Sequence, residues 1–477
     1  MPTDGLRRSL GLSQYFSFSF GVIVGVGWIV LLGQWLQAGG PLGAILGFAL
    51  GGAMMAVIGL CYAETATMFP RSGGEMVYAF AGFGSRAGYI VGWALTLAYI
   101  SAVSYVCLSM AWILDVLVPG IRGPALYFFR GEPIHLGSLV VAIGTCAGFT
   151  LLNYRGVRSS GRFQDLFTYT KIVVAVVFLA AGIIGGHTEN LRPLFQTANG
   201  GTPIGSVLAV LAIVPWFFGG FNTLPQIMEE RSPETPLRMI GPVTVFAILA
   251  AAAFYCLAIL SASMALPWQV LVTRELPAAA AFRESFGSEL LARMVLLTGL
   301  FGVATVGNGT FISATRILFA MSRGHLLGPG FAQTNPRTGA PDRAVLLVGM
   351  VALVGVFLGR NGIGPIVGLG ATCLALGYFV TSAAMLRLRV TAPELPRPYR
   401  APLGIPTGLA ASLGAAGLLA AALFQPLAGA KGSVPIEWLF LGAWTVIGMA
   451  IWLATRASRT TMTDSERRKA ILGTAES

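Results

Sequence analysis

Charged residues are scarce in this sequence. Only 10% of its 477 residues are charged, whereas soluble domains carry roughly 25%. It has three histidines and five cysteines, and none of them shows a CxxC pair or the spacing of metal ligands. We therefore expect no metal site and no cofactor, and we expect the cysteines to pack as small apolar residues. The composition excludes a soluble protein.

Apolar sequence is abundant instead, because 55% of the residues are hydrophobic and the mean hydropathy is +0.75. Runs of about 20 apolar residues recur, and each can cross a hydrocarbon core of roughly 30 Å as a helix. The runs predict an all-α membrane protein with twelve transmembrane helices. Their predicted ranges are 13–37, 41–69, 88–117, 136–153, 164–186, 204–228, 240–265, 291–320, 344–359, 363–388, 405–428 and 436–455.

The net charge of +12 is dispersed over short connections, without a basic domain that would bind nucleic acid. Most of the 31 lysines and arginines fall on the connections that share a side with the N-terminus, which places both termini in the cytoplasm. The first apolar stretch, from Leu12, is too long for a cleavable signal peptide, so a multi-pass protein of the cytoplasmic membrane is predicted. The connection around Pro267–Ser288 is predicted to form a short surface helix, and the tail from Thr460 to fray.

Glycine pairs interrupt two of the predicted spans at similar depths. The first span contains Gly25-Val26-Gly27, and the sixth contains Gly219-Gly220 between Pro215 and Pro225. A helix unwound inside a bilayer exposes backbone groups that lipid cannot satisfy, so a cavity or ligand must satisfy them. Transporters hold substrates at such matching breaks in two halves of the chain. The alternative is close helix packing at small residues.

The chemistry of the two breaks suits an α-amino acid. The half-helix after Gly25–Gly27 presents N–H groups and a positive dipole end to a carboxylate, and unwound carbonyl groups near Gly219–Gly220 can accept from an ammonium. The third glycine of a dinucleotide-binding fingerprint is missing, since Val30 occupies its position. Aromatic residues beside the breaks are predicted to form a gate or wall over a bound amine, with core or lipid packing as the alternative. They are Trp28, Trp216, Phe217, Phe218 and Phe221.

Lys171 is the one basic residue well inside a predicted span. An ionisable residue within the membrane is by default a candidate for function, here as a proton carrier. The alternative is snorkelling of its long side chain to the interface. Glu64 and Asp165 lie nearer to span ends, and we interpret them as anchors for neighbouring arginines.

Four segments of this sequence, in this order and spacing, resemble the amino acid–polyamine–organocation (APC) superfamily of permeases. The resemblance extends from about Gly11 to Pro406. The segments are Gly25-Val26-Gly27; Cys61–Glu64 followed by Phe69–Glu75; Gly219–Glu230; and Arg397–Pro402.

The resemblance implies a leucine-transporter-type architecture with two inverted five-helix repeats. The first repeat would span 13–190 and the second 204–390, followed by helices 11 and 12 over 403–456, with residues 1–12 and 457–477 as cytoplasmic ends. Lys171 looks like the fifth-helix lysine of proton-coupled members. By resemblance, the backbone of the first break takes the substrate carboxylate and that of the second the amino group. The residues concerned are Val24, Gly25, Val26, Gly27 and Trp28, and Trp216, Phe217, Phe218, Gly219 and Gly220.

Three positions depart from the family pattern. Val26 replaces a small polar residue, Trp28 is bulkier than the usual aliphatic residue, and Asn222 occupies a position that is often acidic in relatives. Since no membrane-embedded acid lies near either break, these departures argue against a cationic substrate.

The sequence therefore predicts a secondary transporter for a small neutral amino acid, coupled to protons by alternating access, with the lipid bilayer as its surroundings. Alternatives are a permease for an amine such as ethanolamine or a polyamine, and an amino acid exchanger. A membrane enzyme would need paired catalytic acids, a Ser/His/Asp set or a metal cluster, and a receptor would need a sizeable soluble segment. The sequence shows none of these features, so we expect no enzyme activity.

Overall fold

Helices dominate the structure, as the long apolar runs predict. The computed structural model describes residue 6 and residues 8–118, 120–197, 201–429 and 434–473. Residues 1–5 and 474–477, at the ends of the predicted cytoplasmic termini, lie outside the described residues. The α-helices are Leu12–Ile23 (α1), Gly27–Val30 (α2), Leu32–Met68 (α3), Glu75–Phe83 (α4), Ser85–Leu117 (α5), Leu136–Tyr154 (α6), Val157–Gly185 (α7), Pro203–Leu211 (α8), Val214–Phe217 (α9), Thr223–Gln226 (α10), Ile240–Ala265 (α11), Trp268–Leu271 (α12), Pro277–Phe286 (α13), Glu289–Arg323 (α14), Asp342–Val356 (α15), Ile363–Thr391 (α16), Ile405–Phe424 (α17), Ile436–Ala454 (α18), Arg456–Thr460 (α19) and Asp464–Leu472 (α20).

Ten helices in the described parts of the chain are long and apolar enough to cross a membrane. They coincide with ten of the twelve predicted spans. The other two predicted spans are not single long helices in the structure. The span 204–228 is divided into α8, α9 and α10, and the span 344–359 is the 15-residue α15. At a rise of 1.5 Å per residue, α15 is only about 22 Å long.

The first and second predicted spans meet at a sharp kink within α3. Gly40 has φ +66°, and Pro41 follows it. A Cβ atom at residue 40 would lie 2.8 Å from the backbone nitrogen of Gln196, so this turn needs glycine for both its conformation and its space. The kink divides α3 into two parts. The part before Gly40 continues from the first break, and the part after it is the second predicted span.

A two-stranded antiparallel hairpin follows α5, although the sequence predicts only helices. Ala125–Phe129 (β1) pairs with Glu132–His135 (β2). The predicted short helix in the connection 267–288 is present as α13, which has one exposed face, at Arg283 and Glu284, and one buried face. Ala278 and Ala281 are fully buried, and α13 packs against α2 and α14.

The prediction that the tail from Thr460 frays is wrong for residues 464–472. Thr463 and Glu466 form a reciprocal capping box that starts α20. Ile471 is buried against Gly324, and Arg467 donates to the backbone oxygen of Gly324 at 3.1 Å. The apolar end of this otherwise polar segment therefore packs α20 against the helical core.

Buried ion pairs gather on the side of the molecule where the chain begins, which we call the N-terminal face. Here the amides of Ser9 and Leu10 donate to the backbone oxygen of Glu230 at 2.8 and 2.9 Å. The Glu230 carboxylate pairs with Arg316 on α14 at 2.6 Å, and both side chains are almost completely buried. Glu229 pairs with Arg71 at 2.6 Å and with Arg323 at 2.7 Å.

Glu64 is confirmed as an anchor. Its carboxylate accepts from Arg389 and from the amide of Ala401 at 2.8 Å, and it lies 3.3 Å from Arg397. Asp165 is also an anchor, but it accepts from Gln14 and Ser17 on α1 instead of from an arginine. Both carboxylates are thus occupied by contacts that hold helices together.

We expect Arg316→Met to destabilise the protein strongly, because it leaves the Glu230 carboxylate buried without its partner. Removing one partner of a buried ion pair costs about 3–5 kcal/mol, whereas an exposed pair contributes about 0–1 kcal/mol. The matched control is Arg293→Met, since Arg293 and its partner Glu289 are 69% and 51% exposed. Thermal unfolding in detergent measures both variants. Equal unfolding temperatures would show that the buried pair adds nothing.

Candidate functional site

The two predicted helix breaks are present, and they lie in backbone contact. Helix α1 ends at Ile23 and α2 begins at Gly27, while residues 218–222 form turns between α9 and α10. A Cβ atom at Gly220 would lie 2.2 Å from the backbone nitrogen of Ile23. A Cβ atom at Gly302, on α14, would lie 2.7 Å from the carbonyl of Gly25. Glycine at these positions lets the two breaks and α14 approach each other this closely.

Tyr255 on α11 joins the two breaks. Its hydroxyl donates to the backbone oxygen of Ile23 and lies 3.1 Å from the backbone oxygen of Phe217. The hydroxyl of Thr223 similarly donates to the oxygen of Gly220 at 2.7 Å and lies 3.3 Å from that of Phe18. Side-chain hydroxyl groups thus satisfy carbonyl groups that the helix breaks expose.

The two breaks offer opposite backbone groups. The amides of Val26, Gly27 and Trp28 lie at the start of α2, where no preceding helical turn supplies acceptors. At the second break, the carbonyl oxygen of Phe217 lies 3.1 Å from the Tyr255 hydroxyl, and that of Gly220 accepts from both the amide and the hydroxyl of Thr223, at 3.0 and 2.7 Å. A carbonyl oxygen has two lone pairs, so the Phe217 oxygen can accept a bond from a substrate, whereas both lone pairs of the Gly220 oxygen are engaged by Thr223.

A small cavity of about 30 Å³ lies between the breaks. This volume holds water only, so the site is closed in this conformation. Six of the ten backbone positions predicted to bind substrate line the cavity. They are Gly25, Val26, Gly27, Trp216, Phe217 and Gly219.

The remaining predicted positions do not line this cavity. The Trp28 ring packs between Phe178 and Phe254, with ring centroids 4.9 and 5.4 Å away. Phe218 packs 5.8 Å from Tyr255. The Val24 backbone oxygen is bound to Lys171, and Gly220 touches Ile23.

The predicted aromatic wall is therefore divided between the site and the core. Trp216 and Phe217 line the cavity, whereas Trp28, Phe218 and Phe221 pack into the core. Phe217 also lines a second, larger cavity of about 480 Å³, where its ring lies 4.7 Å from that of Trp35. Phe217 thus belongs to the linings of both cavities.

Lys171 is buried with 1% of its surface exposed, so the snorkelling alternative is wrong. Its Nζ donates to the backbone oxygens of Gly21, at 2.9 Å, and Val24, and to the Thr305 hydroxyl at 3.0 Å. These three acceptors match the three N–H donors of an ammonium group. Lys171 on α7 therefore connects the first break to Thr305 on α14.

Sequence reasoning missed several residues that line or brace the site. Tyr255 and Thr305 carry hydroxyl groups inside apolar spans. A single polar side chain among apolar neighbours is the sequence signal that could have identified them. Tyr105 on α5 lines the cavity and packs edge-on against Trp216 at 5.7 Å. The apolar lining residues, which include Ala98 and Leu374, resemble any other core residue in the sequence.

A family model and several known proteins match most of this chain. The amino acid permease family model matches residues 10–451. The branched-chain amino acid permease BcaP of Bacillus subtilis is 27% identical over 418 residues, which cover 84% of this chain and 85% of the relative. The methylthioribose transporter of the same organism is 25% identical over 409 residues, covering 84% and 85%. Human b(0,+)-type amino acid transporter 1 is 26% identical over 414 residues, covering 85% and 80%.

These relatives are permeases and transporters, not enzymes. The family model spans nearly the whole described core, including both helix breaks, Lys171 and the ion pairs of the N-terminal face. The chain is therefore a multi-pass membrane protein that belongs to the amino acid permease family, within the APC superfamily.

Proposed function

We propose that this protein is a secondary transporter that moves a small neutral amino acid across the cytoplasmic membrane in symport with protons. The single observation that carries the proposal is the closed cavity between two helix breaks whose backbones touch. A cavity of about 30 Å³ is too small for an amino acid, so the site must open before a substrate can enter or leave it. We assign to it the alternating-access mechanism, in which the site opens to one side of the membrane at a time.

The proposed architecture has twelve spans, with α8 to α10 as the broken sixth and α15 as the short ninth. The two breaks would then occupy the first helices of two inverted repeats, 13–190 and 204–390. Both termini would lie in the cytoplasm, so the N-terminal face would be the cytoplasmic face. The charge distribution of the connections supports this orientation.

The substrate carboxylate is assigned to the amides at the start of α2, and the ammonium to the carbonyls of 216–220. The first assignment uses the positive end of a helix, and the second uses free lone pairs of unwound carbonyls. Positions Trp28 and Phe218 contribute backbone only, because their rings pack elsewhere.

The cavity lining supports a neutral side chain. Its members are apolar apart from hydroxyl groups, and none is Asp, Glu, Lys or Arg. A charged substrate side chain would lose its hydration there without gaining a partner. Ala98, Ala102 and Leu374 leave space for a small aliphatic group once the site opens.

Proton coupling is assigned to Lys171. Its ammonium holds the carbonyls of Gly21, in the last turn of α1, and of Val24, in the break that precedes the amides assigned to the carboxylate. Loss of a proton from Nζ removes one of three donors from this contact. The protonation state of Lys171 is thereby linked to the geometry of the substrate site.

A thermal-shift panel on purified protein tests the substrate class. We expect small neutral amino acids to raise the unfolding temperature, because a ligand at 100 times its Kd stabilises the native state by about 2.7 kcal/mol. Their decarboxylated amines and their esters should give no shift, since the amides of α2 need a carboxylate. Equal shifts from the amines would favour the amine permease, and shifts from arginine or aspartate alone would contradict a neutral substrate.

A further inference from the structure

Glu75 is a fully buried carboxylate at the N-terminal face. It is the first residue of α4, in the connection between α3 and α5, outside the ten membrane-spanning helices. Its Oε1 accepts from Asn222 Nδ2 at 2.9 Å and from the Tyr62 hydroxyl at 3.2 Å, and its Oε2 accepts from Gln226 Nε2. Asn222 and Gln226 lie at the two ends of α10, so Glu75 fastens α4 to the broken span.

Glu75 differs from the other buried carboxylates of this face. Glu64, Glu229 and Glu230 are each paired with one or two arginines. Within the described residues, no lysine or arginine lies at ion-pair distance from Glu75, and its donors are all neutral. Burial raises the pKa of the Glu75 carboxyl to about 7, although the hydrogen bonds from Asn222, Tyr62 and Gln226 act in the opposite direction.

The two amide side chains suit either protonation state of this carboxyl. As placed, their N–H groups donate to it, while Asn222 Oδ1 and Gln226 Oε1 have no donor among the described residues. Rotating either amide by 180° presents an oxygen to a protonated carboxyl, which then donates to it. An arginine could not make that exchange, because a guanidinium has donors only.

The other titratable groups around Glu75 are neutral near pH 7. They are Tyr62 on α3, Tyr78 on α4, Tyr99 on α5 and Tyr378 on α16. Among the described residues, the arginines on the helices packed against α4 form no ion pair with Glu75. Arg316 and Arg323 on α14 pair with Glu230 and Glu229, Arg389 on α16 with Glu64, and Arg467 on α20 with Asp464. Arg387 on α16 lies over the Phe83 ring at the other end of α4, and Arg86 lies in the first turn of α5. Binding of a proton is therefore the direct way for the Glu75 site to become neutral.

We propose that Glu75 is a second proton-binding site, which holds its proton while the N-terminal face is closed and releases it when that face opens. The order of proton binding and release follows from the linkage between protonation of Glu75 and opening of the N-terminal face. Water that reaches the carboxylate on opening favours the ionised form, so the closed state binds the proton more tightly than the open state. The link to transport rests on the proposed function, whereas proton binding at Glu75 does not.

Infrared difference spectroscopy of the purified protein without substrate tests the proton site. We expect a protonated-carboxyl band that titrates with a midpoint of about 7, is absent from Glu75→Gln, and persists in the exposed control Glu132→Gln. Asn222→Leu removes one donor to the carboxylate, so its midpoint should rise by about one pH unit. A wild-type protein without a titrating band that Glu75→Gln removes would overturn the proposal.

The stability of the protein against pH gives an independent measurement. A carboxyl whose folded pKa exceeds its unfolded value binds more protons when folded, so stability falls as pH rises from about 4.5 to about 7. Glu75→Gln should lose this slope and be more stable than wild type above pH 7, and Glu132→Gln should keep the slope. An unchanged slope in Glu75→Gln would contradict the site. If the substrate panel fails while the band and slope behave as expected, the proposed function fails and the proton site stands.

Discussion

Lys171→Ala is expected to abolish uptake driven by a pH gradient while the protein still folds. The substitution removes the donor to the carbonyls of Gly21 and Val24 and leaves the Thr305 hydroxyl to donate to Gly21 at 2.7 Å. Losing a hydrogen bond from a charged group costs about 1.5–3 kcal/mol, which corresponds to a tenfold to hundredfold change in an equilibrium. The measurement is uptake by proteoliposomes under an imposed pH gradient.

A second substitution separates proton transfer from positioning. Lys171→Gln keeps amide donors near the same carbonyls but cannot carry a proton. We expect it to bind substrate and to exchange it across the membrane, yet to lose gradient-driven uptake as Lys171→Ala does. Thr305→Val, which removes one acceptor but keeps the lysine, should retain coupling. Gradient-driven uptake at the wild-type rate in either Lys171 variant would refute the coupling role.

The helix breaks could be predicted from the sequence because their cause is local. Glycine pairs and prolines disfavour a helix wherever they occur, and Pro215 and Pro225 frame the second break in the structure as they do in the sequence. The ten long apolar helices follow from hydropathy alone. The hairpin after α5 and the docked α20 were missed because short exposed strands and a polar tail carry weak hydropathy signals.

The partners of the buried charges could not be predicted, because they come from distant parts of the chain. Lys171 contacts Thr305, and Glu75 contacts Asn222 and Gln226, across separations that only the packing of helices decides. The same limit applies to the aromatic residues. Trp28 and Trp216 both flank a break, but only helix rotation determines that Trp216 lines the cavity and Trp28 packs on Phe178.

Gly27→Leu is expected to abolish substrate binding. A Cβ atom at this position would lie 2.7 Å from the Phe217 ring and 3.7 Å from the Tyr105 hydroxyl. The other atoms of a leucine would extend into a cavity of about 30 Å³ and force apart the walls that enclose the substrate. Overpacking of a tight site costs about 1–3 kcal/mol before any contact with substrate is lost. A hundredfold or greater loss of affinity is therefore expected, measured as the thermal shift at saturating ligand.

The control must show that the loss comes from the site and not from a leucine within a membrane helix. Among the described residues, nothing outside the local backbone of α6 lies within 4 Å of a Cβ position at Gly144, so Gly144→Leu should bind substrate as the wild type does. Gly27→Ala adds only the contact between its Cβ atom and the Phe217 ring, which can move toward the larger cavity that it lines. Alanine should therefore weaken binding less than leucine does. A graded loss from glycine to alanine to leucine would mark residue 27 as a wall of the site. Wild-type affinity in Gly27→Leu would place the substrate elsewhere, because no amino acid fits beside a leucine at that position without displacing Phe217.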